Sequence, residues 1–254
     1  MEISEIIRGA YSMPLTSPSY PAGPYQFVDR EHLIITYRTD PAALDAFVPE
    51  PLAWTEPLVR FEFMRMAGST GFGRYAGAAQ MISVILNGEA GNYTHAMFLD
   101  VHAPISGGRE LWGFPQKLAA PKLEVEHDVL IGTLDYGPTR IATASMGYKH
   151  SVVDPNMALA QLSQPGFLLK IIPHVDGSPR ICELVRFFRR DIVIKGAWCA
   201  PVSLEIRPHA LARLESLPVL EVVSGIHILA DFTLDLGEVM HDYISNSNAG
   251  HKAR

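Results

Sequence analysis

The stretch His32-Leu33-Ile34-Ile35-Thr36-Tyr37 is as long as a typical strand and consists mostly of branched and aromatic residues. Such residues favour strands, because their side chains pack well on a pleated surface. Similar runs, each bounded by turn-forming residues, recur at 58–63, 81–86, 94–101, 130–134, 140–146, 168–172, 191–194 and 226–234. Strands at this spacing, without regular helices between them, predict an antiparallel barrel or sandwich.

Helices are expected to be few. The sequence predicts them at 40–47 and 155–162, with a third at 209–214. Pro41 suits the first position of a helix, and Asp40 before it suits the cap, because its carboxylate can accept hydrogen bonds from the first backbone N–H groups. The fold class is therefore mainly β with a few helices.

Composition excludes several classes of protein. The 254 residues are 48% hydrophobic and 19% charged, which is typical of a globular chain and not of a disordered one. The formal net charge of −6 argues against a general nucleic-acid binder. No run of about 18 apolar residues is present to cross a membrane. Two cysteines, Cys182 and Cys199, fit a reduced, cytoplasmic compartment better than a disulfide scaffold.

No composition break marks a linker, so we expect one domain over residues 1–254, ending in a polar, flexible tail at 245–254. The usual catalytic signatures are missing: there is no G-x-G-x-x-G opening a helix, no Walker loop and no G-x-S-x-G. The ten histidines are scattered, with neither H-x-x-x-H nor C-x-x-C spacing. Isolated histidines are thus favoured over a metal site, and we expect no metal.

The most informative segment spans residues 107–123 and reads GGRELWGFPQKLAAPKL. With it go MPLTSP at 13–18, GPY at 23–25, DRE at 29–31, YRTD at 37–40, PEPL at 49–52, GTLDYG at 132–137, MGYKH at 146–150, KIIP at 170–173, DGSPRICEL at 176–184 and HILAD at 227–231. Through these segments the chain resembles the acetoacetate decarboxylase family from about residue 10 to residue 243.

The resemblance implies a central closed antiparallel β-barrel, assembled into a large homo-oligomer. The family converts acetoacetate to acetone and carbon dioxide without metal or organic cofactor. A lysine amine attacks the keto group and forms an imine, which accepts the electrons released as the carboxylate leaves. That lysine must be neutral, and burial or a neighbouring cation lowers its pKa.

The nucleophile's position departs from the family. The family reads Phe/Tyr-Pro-Lys-Lys, and the first lysine forms the imine; this chain reads Phe114-Pro115-Gln116-Lys117. An amide nitrogen has a delocalised lone pair and cannot form an imine with a ketone. The family also places a pocket glutamate in a Tyr-Thr-Glu-Ser-Gly-Gln stretch, where this chain has Gly77. Both the nucleophile and one carboxylate are predicted to be absent.

Lys117 is the candidate substitute nucleophile. If this segment is extended, neighbouring side chains point to opposite faces, and Lys117 points away from the pocket that Gln116 faces. Pairing with a carboxylate is then the more ordinary role for Lys117. Lys149 and Lys170 lie in segments whose family counterparts do not form the imine, and Lys122 beyond Pro121 is expected in solvent.

Other residues that the family resemblance places in the pocket are present in this chain. The resemblance assigns Arg30 to the substrate carboxylate or to organising the site, and a guanidinium suits that role because it pairs with carboxylates in a planar, bidentate way. Glu62 matches a family carboxylate, and alternation places it opposite Phe61 and Phe63. The alternative is that Arg30 and Glu62 form an ordinary ion pair on a strand surface. Further residues expected to line the pocket are Phe27, Met97 and Phe114, although apolar residues near strands are core by default.

Three functions remain open. The first is a lyase-like enzyme acting on a small β-keto acid or 1,3-dicarbonyl compound without a Schiff base. In it, Gln116 donates a hydrogen bond to an enolate oxygen, Arg30 holds a carboxylate and Glu62 moves a proton. The second is a non-catalytic relative that binds a small carboxylate or ketone. The third is a decarboxylase whose lysine was substituted, naturally or by design, or replaced by another lysine; the simultaneous change at Gly77 argues against design.

Overall fold

A computed structural model describes residues 1–245 of the chain. Apart from Ser245, the polar tail at 245–254 lies outside the described residues. The strands are β1 (Tyr25–Arg38), β2 (Leu58–Ser69), β3 (Tyr75–Leu86), β4 (Glu89–Leu99), β5 (Gln116–Leu118), β6 (Ala120–Glu126), β7 (Val129–Tyr136), β8 (Thr139–Gly147), β9 (Ser151–Val152), β10 (Gly166–Pro173), β11 (Pro179–Phe187), β12 (Arg189–Cys199), β13 (Val202–Ile206), β14 (Glu221–Leu234) and β15 (Glu238–Asp242).

The strands form two sheets. The larger has eleven strands in the order β15-β11-β10-β4-β3-β2-β1-β14-β12-β9, with β5 paired to β4. The smaller has four, in the order β13-β8-β7-β6. The mainly β fold is therefore confirmed. The closed barrel is not: over residues 1–245 the larger sheet ends on β15 and β9, which do not pair with each other. Closure needs two partners for every strand, and β9 has only two residues to offer.

Every predicted strand overlaps an observed one, because the runs of branched residues were long enough to specify it. The turns agree as well. Asn87 and Gly88 join β3 to β4, and both have positive φ, at 52° and 86°. This is the conformation that a two-residue hairpin requires, and an Asn-Gly pair adopts it at low cost.

Four α-helices lie within residues 1–242: α1 (Ile3–Gly9), α2 (Pro41–Leu44), α3 (His102–Gly107) and α4 (Pro155–Leu162). The prediction for 155–162 is confirmed, and that for 40–47 is confirmed only over its first half. Asp40 caps α2 as predicted, accepting a hydrogen bond from Ala42 N at 2.9 Å. The α-helix predicted at 209–214 was wrong, since only a short 3-10 turn at Leu214–Ser216 forms there. No helix within residues 1–245 combines the length and apolar character that crossing a bilayer would require.

Alternation along β2 separates the core from the site. Val59, Phe61 and Phe63 are fully buried against the smaller sheet, where they join side chains from β7 and β8 in the main hydrophobic core. The side chains between them, Glu62 among them, face the other side of the larger sheet, as predicted. Register thus decides which residues of one strand hold the sheets together and which face the cavity described next.

Candidate active site

A cavity lies on the face of the larger sheet that is turned away from the smaller sheet. Its walls come from β1 to β5, from α4 and from β10, β11, β12 and β14. Of the residues predicted to form the pocket, the following line it: Phe27, Arg30, Glu62, Met97, Phe114 and Gln116. The sequence therefore identified a set of distant residues that the fold brings together.

Gln116 is held at the start of β5, which pairs in parallel with β4 so that Gln116 lies opposite Met97. The chain reaches this point through α3 and a π-helix at Gly108–Trp112, neither of which the sequence predicted. Gly113 ends the π-helix with a φ of 87°. A side chain there would place its Cβ 2.4 Å from Lys170 Cβ, so only glycine fits.

The neighbours of Gln116 orient its amide. With its nitrogen towards α3, the amide donates hydrogen bonds to Pro104 O at 3.0 Å and Ile105 O at 3.3 Å. The reverse orientation would set its oxygen against those two carbonyl oxygens. The other end of the amide lies 3.5 Å from Met97 Sδ. In this orientation the N–H groups of Gln116 face backbone carbonyls, so the predicted hydrogen bond from Gln116 to an enolate oxygen would require the amide to turn.

Lys117 points away from the cavity, as alternation predicted. Gln116 is 6% exposed, whereas Lys117 is on the outer surface and donates a hydrogen bond to Leu211 O at 2.6 Å. The expected pairing with a carboxylate is replaced by this backbone contact. Lys170 is directed elsewhere as well, donating to Leu111 O at 3.0 Å. Over residues 1–245, no lysine lines the cavity.

Arg30 lies deep in the cavity between two aromatic rings. Its guanidinium carbon is 5.0 Å from the centroid of Phe27 and 5.1 Å from that of Phe232. Nη2 donates to Met64 Sδ at 2.7 Å, and Nε is buried with no hydrogen-bond partner. Burial lowers the pKa of Arg30, and the negative charge of Glu62 opposes that effect. The alternative of a surface ion pair between these two residues is excluded, since both are buried.

Glu62 is paired with His32 rather than directly with Arg30. His32 Nδ1 donates to Glu62 Oε1 at 2.5 Å. Burial raises the pKa of Glu62, but this hydrogen bond and the charges of Arg30 and Arg189 outweigh it and hold the pKa at about 2. Burial lowers the pKa of His32 to about 4 despite its hydrogen bond to Glu62. At neutral pH the pair is an imidazole donating to a carboxylate.

Gly77 does not line the cavity, which corrects its assignment as a pocket residue. It shares a face of β3 with three lining residues, but the side chains of Leu99 and Met64 cover it. A Cβ at Gly77 would lie 2.8 Å from Leu99 Cδ2 and 3.2 Å from Met64 Cε. The space that a glutamate would need is therefore filled by these apolar side chains.

Sequence reasoning missed two cationic side chains of the cavity. Arg189, at the start of β12, lies 5.6 Å from the Phe232 centroid and donates to Leu162 O at 3.1 Å. Arg60 donates to Gln164 Oε1 at 2.9 Å. Arg60 could have been found, because it is two residues from Glu62 on a strand and must share its face. Arg189 carried no such signal, since nothing in the sequence links β12 to this cavity.

The composition of the cavity limits its chemistry. Within the described part of the chain, no group of three or more His, Cys, Asp or Glu side chains is arranged to hold a metal ion. Three guanidiniums and one ionised carboxylate line the walls together with aromatic rings. Such a site binds anions and stabilises negative charge.

The comparisons with known proteins agree with the fold. Residues 12–244 match the family model for acetoacetate decarboxylase. The chain belongs to the acetoacetate decarboxylase family. It is 60% identical over 244 residues to an acetoacetate decarboxylase of Chromobacterium violaceum, covering 96% of this chain and 99% of the relative.

Solved structures support the same family assignment. A structure of acetoacetate decarboxylase superposes with a TM-score of 0.93 at 51% identity, covering 96% of this chain and 99% of the other. The acetoacetate decarboxylase of Legionella pneumophila superposes with a TM-score of 0.89 at 50% identity, covering 94% and 96%.

Proposed function

We propose that this protein is a lyase-like enzyme that acts on a small β-keto acid or 1,3-dicarbonyl compound without forming a Schiff base. Its conversion of acetoacetate to acetone and carbon dioxide is then weak or absent. One observation carries the proposal: over residues 1–245 the cavity is lined by three arginines and by no lysine. Membership of the family supports the substrate class.

The missing amine removes the family's electron sink. Imine formation needs a nitrogen lone pair, and the lone pair of the Gln116 amide is delocalised into its carbonyl group. The amide nitrogen is also directed to two backbone carbonyls of α3. A keto group in this cavity is therefore recognised by charge and hydrogen bonds alone.

Arginine can take over part of the lost stabilisation. When a β-keto acid loses carbon dioxide, the electron pair of the breaking C–C bond moves to the former keto oxygen as an enolate, which then takes a proton from water. Arg30 has a buried, unbonded Nε, and Arg189 provides a second guanidinium beside the same Phe232 ring. Preorganised donors of this kind stabilise charge that develops during a reaction. Glu62, with a pKa of about 2, places one negative charge near these cations and is a weak base.

Borohydride trapping tests the proposal. The protein is incubated with acetoacetate and sodium borohydride, and its intact mass is measured. We expect no adduct and little acetone, with the acetoacetate decarboxylase of Chromobacterium violaceum as the parallel reference. A stable adduct on any lysine would overturn the proposal and restore the third function, a decarboxylase with a relocated lysine.

A gain-of-function variant tests the same point from the other side. The double variant Gln116→Lys with Gly77→Glu should form acetone if the pocket is otherwise intact. Leu99 must move to admit the new glutamate, since it lies 2.8 Å from the position of its Cβ. The triple variant with Leu99→Ala is therefore the better test. A folded triple variant without activity would mean that the pocket differs at further positions.

Non-catalytic binding is the second candidate, and one observation favours it. The buried carboxylate of Glu62 and the imidazole of His32 have pKa values of about 2 and 4, so neither exchanges protons readily at pH 7. Isothermal titration with acetoacetate, run beside an assay of carbon dioxide release, separates the two candidates. Binding without release would favour the non-catalytic relative.

The family resemblance also supports three proposals about the whole chain. It folds as one domain, it assembles into a large homo-oligomer, and it works in the cytoplasm. Light scattering coupled to size-exclusion chromatography tests the assembly, and a monomer would refute it.

A further inference from the structure

We propose that the cavity takes a small dicarboxylate, with one carboxylate bound at Arg30 and the other at Arg60. This inference rests on the proposed function, because it names the class of acid that the same site accepts. It goes further by predicting a second anion site at the mouth of the cavity.

The first argument is the charge of the cavity. Arg30, Arg60 and Arg189 contribute three positive charges, and Glu62 contributes one negative charge. His32 adds no charge at neutral pH. The excess is two positive charges, so a monocarboxylate would leave one guanidinium uncompensated. A dicarboxylate neutralises both.

The second argument is that these guanidiniums have no ionic partners. Among the described residues, six of the eleven other arginines form ion pairs with carboxylates within 4.0 Å, namely Arg38, Arg65, Arg140, Arg186, Arg190 and Arg207. The three cavity arginines instead donate to neutral acceptors: Met64 Sδ, Gln164 Oε1 and Leu162 O. An unpaired cation in a cavity is costly. An anionic ligand is the compensation that these side chains lack.

The third argument is the separation of the two sites along β2. Arg30 contacts Met64, which lies four residues from Arg60 on the same face of the strand. Four residues of strand span about 13 Å, so the backbones carrying these contacts are well apart. Glu62 lies between Arg60 and Met64 on this face of the strand. Two carboxylates joined by a short carbon chain match this pattern better than one.

The outer site lies at the mouth of the cavity. Arg60, Gln161 and Gln164 line both the cavity and a surface depression beside α4. The Gln164 oxygen accepts hydrogen bonds from Arg60 at 2.9 Å and from Asn92 at 3.0 Å, which fixes the guanidinium at this place. Asp154 also lines the depression, but it lies beyond ion-pair distance from Arg60, as do the other carboxylates within residues 1–245.

Isothermal titration with two unreactive acids of equal length tests the inference. The probes are pentanoate and pentanedioate, at pH 7.5 and low salt. We expect pentanedioate to bind at least about tenfold more tightly, because a charge-assisted, bidentate contact is added at Arg60. Arg60→Gln should abolish this preference and leave the affinity for pentanoate within about twofold. Arg180→Gln, which removes a charge on the exposed part of β11, is the matched control and should keep the preference.

The outcomes separate this inference from the proposed function. If pentanoate binds and pentanedioate binds no better, the dicarboxylate site is wrong while the proposed function stands. If Arg60→Gln weakens both acids equally, the second contact is also wrong. If neither acid binds, both proposals fail. The comparison in the unsubstituted protein does not depend on whether Arg60→Gln folds.

Discussion

His32→Asn tests the electrostatics of the cavity through the pH dependence of stability. The imidazole is fully buried, and its Nδ1 donates to Glu62. Asparagine keeps a donor near the position of Nδ1 but cannot be protonated. The variant loses packing volume and will be less stable at every pH. The informative quantity is therefore the change in unfolding free energy between two pH values, compared between the protein and its variant.

The magnitude follows from the pKa of His32. Burial lowers this pKa from its ordinary 6.5 to about 4. Between these values the unfolded chain binds a proton that the folded protein does not, so stability is lost as the pH falls below 6.5. From pH 7.5 to pH 5.0 the loss from this site is about 2 kcal/mol. Glu62 adds little in this window, because its pKa is depressed and its contribution is lost only below about pH 4.5.

Urea unfolding at pH 7.5 and pH 5.0 measures the effect. The unsubstituted protein should lose about 2 kcal/mol more stability than His32→Asn over this interval. Burial also lowers the pKa of His95 to about 4, but His95 is present in both proteins and cancels in the comparison. Equal losses in the two proteins would refute the conclusion that His32 is held neutral in the folded state.

Two further predictions concern the loop before Gln116 and the charge of the cavity. Gly113→Ala should cost at least about 2 kcal/mol in urea unfolding, since it combines a positive φ with a Cβ 2.4 Å from Lys170. Gly137→Ala is its control, because it has a φ of 59° with no atom within 4 Å and should cost only about 1 kcal/mol; equal costs would refute the close approach. Glu62→Gln should tighten pentanoate binding severalfold and Arg30→Met should weaken it by about tenfold, as measured by titration calorimetry, because the first removes a repulsive charge and the second an attractive one. Changes of the same sign in both would contradict the electrostatic account.

The strands could be predicted from the sequence because their signal is local. Runs of branched and aromatic residues specify an extended chain, and alternation assigned Glu62 and Phe61 to opposite faces of β2. The pairing of the ends of the larger sheet depends on contacts between distant strands, and no local pattern reports it. The strand spacing allowed a barrel or a sandwich, and the choice of a closed barrel came from the family resemblance alone; the pairing observed over residues 1–245 leaves that sheet open.

The helical segments were harder to predict. The π-helix at Gly108–Trp112 lies in a glycine-rich segment with no apolar period, and it is held by tertiary contacts such as that from Lys170 to Leu111 O. The α-helix expected at 209–214 failed because Arg213 adopts a left-handed conformation, with a φ of 48°, which interrupts a right-handed helix.

The site could be predicted where the residues themselves carried the chemistry. Gln116, at the position where the family resemblance implies a lysine, is visible in the sequence, and alternation placed Lys117 on the opposite face. The orientation of the Gln116 amide could not be predicted, because it depends on carbonyl groups of α3. The exclusion of Gly77 from the cavity could not be predicted either, because it depends on Leu99 of a neighbouring strand, which covers this position.

The division of β2 between two faces has a consequence for how this family can diversify. Phe61 and Phe63 maintain the packing of the two sheets, whereas Arg60 and Glu62 face the cavity. Substitutions of the β2 side chains that face the cavity can alter ligand recognition without changing the packing between the two sheets. One strand can thus serve stability through its odd-numbered side chains and recognition through its even-numbered ones.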